Sequence, residues 1–236
     1  MIPVTRVVVD TLEGAFGFIP LIIAIYYSGE LVWRERDRKT HEIIDATALS
    51  DWAFVVPKTL AVILVMFAAL AISAVGGILV QLIKGWTAIE IGHYLLWYIL
   101  PNAIDWSLLA ILAVFVQAVS PHKFIGWGIM VLYLIATITL TNVGFADNLY
   151  LYGRGPRVPL SDMNGMGKFW IGATWFRIYY GAIALLMLVA AHVLWRRGTE
   201  TRLKPRLARA PRRLRGPAGL VGLAALVVFV GSGVYI

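Results

Sequence analysis

Cysteine is absent from the 236 residues, which removes disulfides, thiolate metal sites and cysteine nucleophiles together. Charge is scarce as well. Only 14% of residues are Asp, Glu, Lys or Arg, against 60% hydrophobic, a balance that excludes an ordinary water-soluble domain. No glycine-rich loop ending in Lys-Ser/Thr is present, so the chain has no phosphate cradle with which to hydrolyse ATP itself. The histidines, His41, His93, His122 and His192, are scattered along the chain, which argues against a metal cluster. There is no internal repeat, and the Arg/Pro-rich segment 202–217 is the one low-complexity tract.

What remains is a series of apolar runs, each long enough to cross about 30 Å of hydrocarbon as a helix. They predict an all-α, polytopic membrane bundle with six spans, near 12–33, 54–82, 103–119, 124–142, 173–195 and 218–235. The first run ends in Tyr26-Tyr27-Ser28-Gly29-Glu30 rather than a small-residue cleavage site, so it is read as a retained span and not a signal peptide. Residues 89–119 are too long for one comfortable span and too short for two, and Pro101 interrupts them. Residues 89–100 are therefore expected to form a partial, interfacial helix, with Trp97 and Tyr98 in the headgroup zone.

The formal charge of +8 is concentrated in two clusters. One is Arg34, Arg36, Arg38 and Lys39; the other runs from Arg196 to Arg215. The positive-inside bias places both in the cytoplasm, which puts loops 34–53, 120–123 and 196–217 inside and loop 143–172 outside. A positive-inside loop accounts for this charge without a base-reading module, so nucleic acid is not expected as a partner. Lipid is, at up to about 1 kcal/mol per cation near an anionic surface.

The cytoplasmic segment 34–53 contains His41-Glu42-Ile43-Ile44-Asp45, one residue away from the HExxH zinc motif. Asp45 stands where the second histidine would be and no third ligand is near, so a solvated helix face is the better reading. That helix is expected to pair its charges along its own surface, Glu30 with Arg34, Glu35 with Lys39 and Arg38 with Glu42. It should then turn at Ser50-Asp51 and return to the membrane at Trp52. In the outer loop, Tyr152, Asp162 and Asn164 are candidate ligand-binding residues, with Asp147, although turn-forming roles for the acidic and amide side chains are the stronger expectation. On these span boundaries Glu13, Glu30, Asp105, Arg177 and His192 all fall toward span ends. Uncharged span middles argue against ion-driven transport and intramembrane acid–base catalysis.

The string "RERDRKTHEIIDATALSDWAFVVPKTLAV", residues 34–62, resembles the cytoplasmic segment of ABC type-2 transporter permeases. The likeness is a charged run, then Thr40, Glu42, Ile43 and Ile44, the turn at Ala46-Thr47, and a helix carrying Lys58 near its start. "GELVWRERD" and "NLYLYGRGPRVPLSDMNGMGKFW" narrow it to the membrane part of bacterial permease/zinc-aminopeptidase fusion proteins. The resemblance implies that 34–53 is a coupling helix docking into a partner ATPase, with Glu35, Arg36, Arg38, Thr40, Glu42, Ile43, Ile44 and Thr47 at the contact.

It further implies a permease component in the bacterial inner membrane, moving an amphiphilic or apolar substrate. ATP would be used by the partner ATPase alone, with no cofactor on this chain and with a second permease half or a second copy alongside. The chain lacks HExxH and is read as a slice of a longer protein, so neither peptidase nor other enzymatic activity is assigned to it. Two alternatives stand beside this reading. The chain could be a non-transporting membrane anchor for an outer aminopeptidase-like domain, or a membrane-embedded metal hydrolase using His41, Glu42 or Asp162.

Overall fold

The computed structural model describes residues 3–145, 147–161, 163–198 and 203–236. Asp162 lies outside them. Among the described residues the chain is helical and forms no strand. Helices α4 (Trp52–Ile83), α5 (Ile91–Val119), α6 (Lys123–Val143), α7 (Phe169–Val193) and α9 (Pro217–Tyr235) are each long and apolar enough to cross a membrane. The bent pair α1 (Thr5–Phe16) and α2 (Ile19–Asp37), which meet at 45°, passes the same test only when taken together, as a broken span or a re-entrant loop. The short helix α3 (His41–Asp45) and the basic helix α8 (Leu203–Arg213) lie between spans. The chain is a multi-pass, all-α membrane bundle.

Two expectations about the spans change. The first apolar run is not one helix over 12–33: it breaks at Gly17-Phe18, and α1 is amphipathic. Val8, Val9 and Leu12 are buried, whereas Arg6, Asp10, Glu13 and Gly14 are exposed. That apolar face packs with Leu70, Ala74, Tyr94 and Tyr98. Gly77 is what admits it, because a Cβ there would meet Val8 and Leu12 at 2.9 Å.

The second change concerns 89–100, which is continuous with α5 rather than a separate partial helix. Tyr94–Ile99 winds as a π-helix directly before Leu100–Val119. A proline ring clashes with the carbonyl four residues earlier, here Trp97, and the wider π turn relieves that clash so the helix continues through Pro101. Since 91–119 makes one crossing, the order of inner and outer loops is unaffected.

The central packing unites α2, α4, α5 and α6 around Ala24, Val62, Met66, Ala110, Ala113, Val114 and Met130. Small residues let the helices approach, as expected where lipid supplies no hydrophobic drive for association. Gly29 of α2 sits against Trp127 of α6, and a Cβ at Gly29 would overlap the indole nitrogen and meet Cε2 at 2.8 Å. The Tyr26 and Phe124 rings lie beside the indole, with centroids 6.0 and 5.3 Å away. Gly29→Ala is expected to cost about 1 to 2 kcal/mol by overpacking, read as a lowered thermal midpoint in detergent. A midpoint equal to the native protein would show that α2 and α6 are less closely apposed.

Candidate functional site

The ends of α2, α5 and α7 and the starts of α4, α6 and α9 gather at one end of the bundle, and both basic clusters gather with them. Lys58 of α4 donates to the carbonyl of Leu31 at 2.7 Å and to Glu35, pinning the last turns of α2 to the first turns of α4. Lys123 reaches Glu30 at 3.4 Å and Asp37 at 2.7 Å. Trp33 Nε1 donates to Gln117 Oε1 at 3.0 Å. The charges therefore pair between helices and not along one surface, as Glu30–Arg34 and Glu35–Lys39 spacing had predicted. Glu30, still inside α2 with Arg34, is drawn off by Lys123 of α6; for Glu35–Lys39 and Arg38–Glu42 the reason is local, since α2 ends at Asp37 and Lys39 takes a left-handed φ of 57°.

This break sets α3 at an angle to α2, and the linker after α7 braces it from behind. Arg36 donates to the carbonyls of Arg196 at 3.3 Å and Gly198 at 3.0 Å. Asp45 accepts from the Gly198 amide at 2.8 Å and lies 3.7 Å from Arg36. Arg197 donates to the carbonyls of Thr47, at 3.4 Å, and Leu49. Arg196 stands over the Trp33 ring at 5.2 Å, and burial followed by the cations Arg36 and Arg206 brings its pKa down to about 10, which leaves it charged at neutral pH.

The opposite face of α3 is bare. Ile43 is 76% exposed, and Glu42, Arg38 and Thr47 are exposed around it. Ile44 is half-buried beside Asp45, Phe54 and Trp195, and the Thr40 and Thr47 hydroxyls close local turns on the carbonyls of Glu35 and Ile44. Among the sequence-selected residues, Glu35, Arg36 and Ile44 thus belong to the brace. Arg38, Glu42 and Ile43 belong to the free face, and Thr47, exposed there, gives its carbonyl to the brace. The damaged zinc motif does not assemble, since Asp45 is turned to Gly198 and Arg36, and no three His, Asp or Glu side chains converge among the described residues.

Sequence reasoning missed the residues that lock this end. Asp51, 8% exposed, lies 2.6 Å from Arg197 Nε and 2.8 Å from Arg213 Nη1; the Arg197 contact is off the N–H direction and acts by charge alone. Arg213 also donates to the Val193 carbonyl at 2.9 Å. Arg206, buried in α8, donates to Ala118 at 3.1 Å, Leu194 at 2.9 Å and Val119 at 3.3 Å. These carbonyls terminate α5 and α7 and have no intrahelical partner, so the guanidinium satisfies what the helix ends leave open. The spacing of Arg206 and Arg213, two helical turns apart, was the available signal that both face the same way. Compared with protein-family models, curated proteins and solved structures, the chain matches none.

At the far end the described residues of loop 143–172 fold as a cap. Tyr152 donates to the Leu108 carbonyl at 3.2 Å and its own carbonyl accepts from Tyr133 at 3.0 Å; burial pushes its phenol above the ordinary tyrosine range. Asp147 accepts from the Leu149 amide at 3.0 Å in an Asx turn, and Ser161 and Gly165 exchange backbone hydrogen bonds of 3.0 and 2.8 Å. The Asn164 side chain is exposed, and its carbonyl accepts from Gly167 at 2.9 Å. Tyr152 and Asp147 are thus structural.

Beneath the cap lies a cavity of about 820 Å³. Asp105 and Arg177 form a bidentate pair there at 2.9 Å. Because α5 begins at Ile91, Asp105 is the central residue of a 29-residue helix. Uncharged middles were expected in every span; α4, α6 and α9 fit, and α5 does not.

Proposed function

We propose that this chain is the membrane-spanning permease component of an ABC type-2 transporter, with α3 as the element on which a separate ATPase pushes. One observation carries the reading: α3 is rigidly braced on one side by Arg36, Asp45, Arg197 and Gly198, while Ile43 and Glu42 stand free on the other. An exposed aliphatic side chain ringed by charges suits the centre of a docking patch. By the positive-inside bias this end faces the cytoplasm, where an ATPase would be. The brace joins α3 to the end of α7 through Arg196–Gly198, and Arg196 donates to the Pro121 carbonyl just beyond α5 at 3.0 Å, so a push on α3 would reach these spans as well as its own neighbours.

A photocrosslinking side chain placed at Ile43 in native membranes is expected to capture a nucleotide-binding ATPase. Ile43→Asp should reduce copurification of that ATPase at least about tenfold, the loss of one buried aliphatic contact. Glu42→Ala with Arg38→Ala should lower transport-linked ATP hydrolysis. Crosslinks to lipid alone, with no copurifying ATPase, would overturn the docking role and favour the anchor.

A further inference from the structure

The cavity under the cap carries charge of both signs in an arrangement that the permease reading does not use. Asp10 and Glu13 stand one turn apart on the exposed face of α1 and line one part of it. Arg154 and Arg157 line another, from the extended strap 153–160. Arg154 is tied to Thr141 at 3.0 Å. Asp10 and Arg157 are exposed and, among the described residues, neither makes a hydrogen bond or ion pair. Glu13 holds only a long contact of 3.5 Å to Asn102 and lies within electrostatic reach of Asp10, Asp105 and Arg157. The lining thus has spare carboxylate and spare guanidinium capacity a short distance apart.

Arg6, four residues before Asp10, also lines it, as do Asn102 and the Asp105–Arg177 pair, and the apolar and aromatic part of the wall includes Leu108, Phe176 and Trp170. The neighbouring Phe169 and Ile171 are exposed on the outside of the bundle, and aromatic residues at a span end mark the headgroup level. α1 packs chiefly on α4 and the π-helical start of α5, so the bundle is loosely closed on the side where α1 faces α7. At the floor, the Asp105–Arg177 pair carries polarity well below the headgroup level. A volume of this size holds a small ligand or a headgroup.

We infer that this cavity binds a zwitterion in which a primary ammonium is joined to a phosphate, as in a phosphoethanolamine group. The ammonium is held by Asp10 and Glu13, and the phosphate by Arg157 with Arg154, whose planar forks suit phosphate oxygens. The glycerol end lies over Leu108, Phe176 and Trp170. Such a group reaches the site as a phospholipid headgroup or as a soluble glycerophosphodiester. The site stands whether or not the chain transports anything, so it goes beyond the permease reading.

The protein is reconstituted into bilayers with equal phosphatidylethanolamine, its N-methylated series through phosphatidylcholine, and phosphatidylglycerol, then gently extracted. Retained lipid is counted by native mass spectrometry. Phosphatidylethanolamine is expected to be retained at least about tenfold over phosphatidylcholine, whose trimethylammonium cannot donate hydrogen bonds, with stepwise loss along the methyl series. Asp10→Asn with Glu13→Gln should abolish that preference while leaving phosphatidylglycerol unchanged, and Arg157→Gln should weaken every phospholipid. Displacement by millimolar glycerophosphoethanolamine assigns the site to the soluble source; no displacement assigns it to the lipid. Equal retention across the methyl series by the native protein overturns the inference, and that arm needs no variant to fold.

Discussion

Asp51→Asn is expected to lower the stability of the bundle by about 3 kcal/mol, the scale for removing one partner from a largely buried ion cluster. The substitution keeps the side chain's shape and removes its charge, leaving Arg197 and Arg213 without the carboxylate that pairs them. Asp51 also precedes α4, where a negative charge meets the positive end of the helix dipole. Asp51→Asn loses that as well. The measurement is equilibrium unfolding in mixed micelles, followed by tryptophan fluorescence because Trp52 and Trp195 flank the cluster. Since Asp51 is 8% exposed, 0.5 M salt should leave most of the difference in place, whereas a screened surface pair would vanish. Arg213→Gln added to Asp51→Asn should recover part of the loss by removing an unpaired cation. A loss below about 0.5 kcal/mol would mean that the carbonyl contacts of Arg213 and Arg197 carry this end alone.

How far the chain could be read in advance follows from the range of each interaction. Spans from α4 onward were legible because a run of apolar residues is a local property. The Ser50-Asp51 turn and the return at Trp52 were likewise local.

The bend at Gly17-Phe18 was missed although it has a local mark: Pro20 stands in the first turn of α2, where proline favours a helix start, and the amphipathic α1 ahead of it docks on Gly77 of α4. Proline at 101 was read as a break because a π turn that rescues it leaves no mark in the sequence. The charge pairs were misplaced for the same kind of reason. A four-residue spacing stabilises an uninterrupted helix, but the left-handed residue at Lys39 and the proximity of Lys58 and Lys123 redirect the carboxylates across to other helices. Of segment 34–53, the exposed Glu42 and Ile43 could be chosen from sequence, but not its brace, whose partners lie about 150 residues away in the chain. The cavity was least legible of all, since it draws on residues 10, 13, 105, 157 and 177 from four separate elements.

The Asp105–Arg177 pair allows stability and ligand binding to be separated. Asp105→Ala is expected to cost about 2 to 3 kcal/mol, because it removes two charge-assisted hydrogen bonds and leaves Arg177 unpaired at the depth of a helix midpoint. The cost stays below that of a sealed pair since Asp105 is 37% exposed and water in the cavity can solvate the orphaned cation. Removing both partners, Asp105→Ala with Arg177→Ala, should be less harmful than either change alone, and the exchange Asp105→Arg with Arg177→Asp should restore most of the stability. A purely structural pair would be indifferent to that exchange in every assay. A pair that also sets the polarity of the cavity floor would not: the exchange moves a positive charge from α7 to α5, toward Asn102 and the carboxylates of α1. The exchanged protein is therefore expected to unfold near the native midpoint and still lose its preference for a primary ammonium headgroup. Recovery of both properties would confine Asp105 and Arg177 to holding α5 against α7.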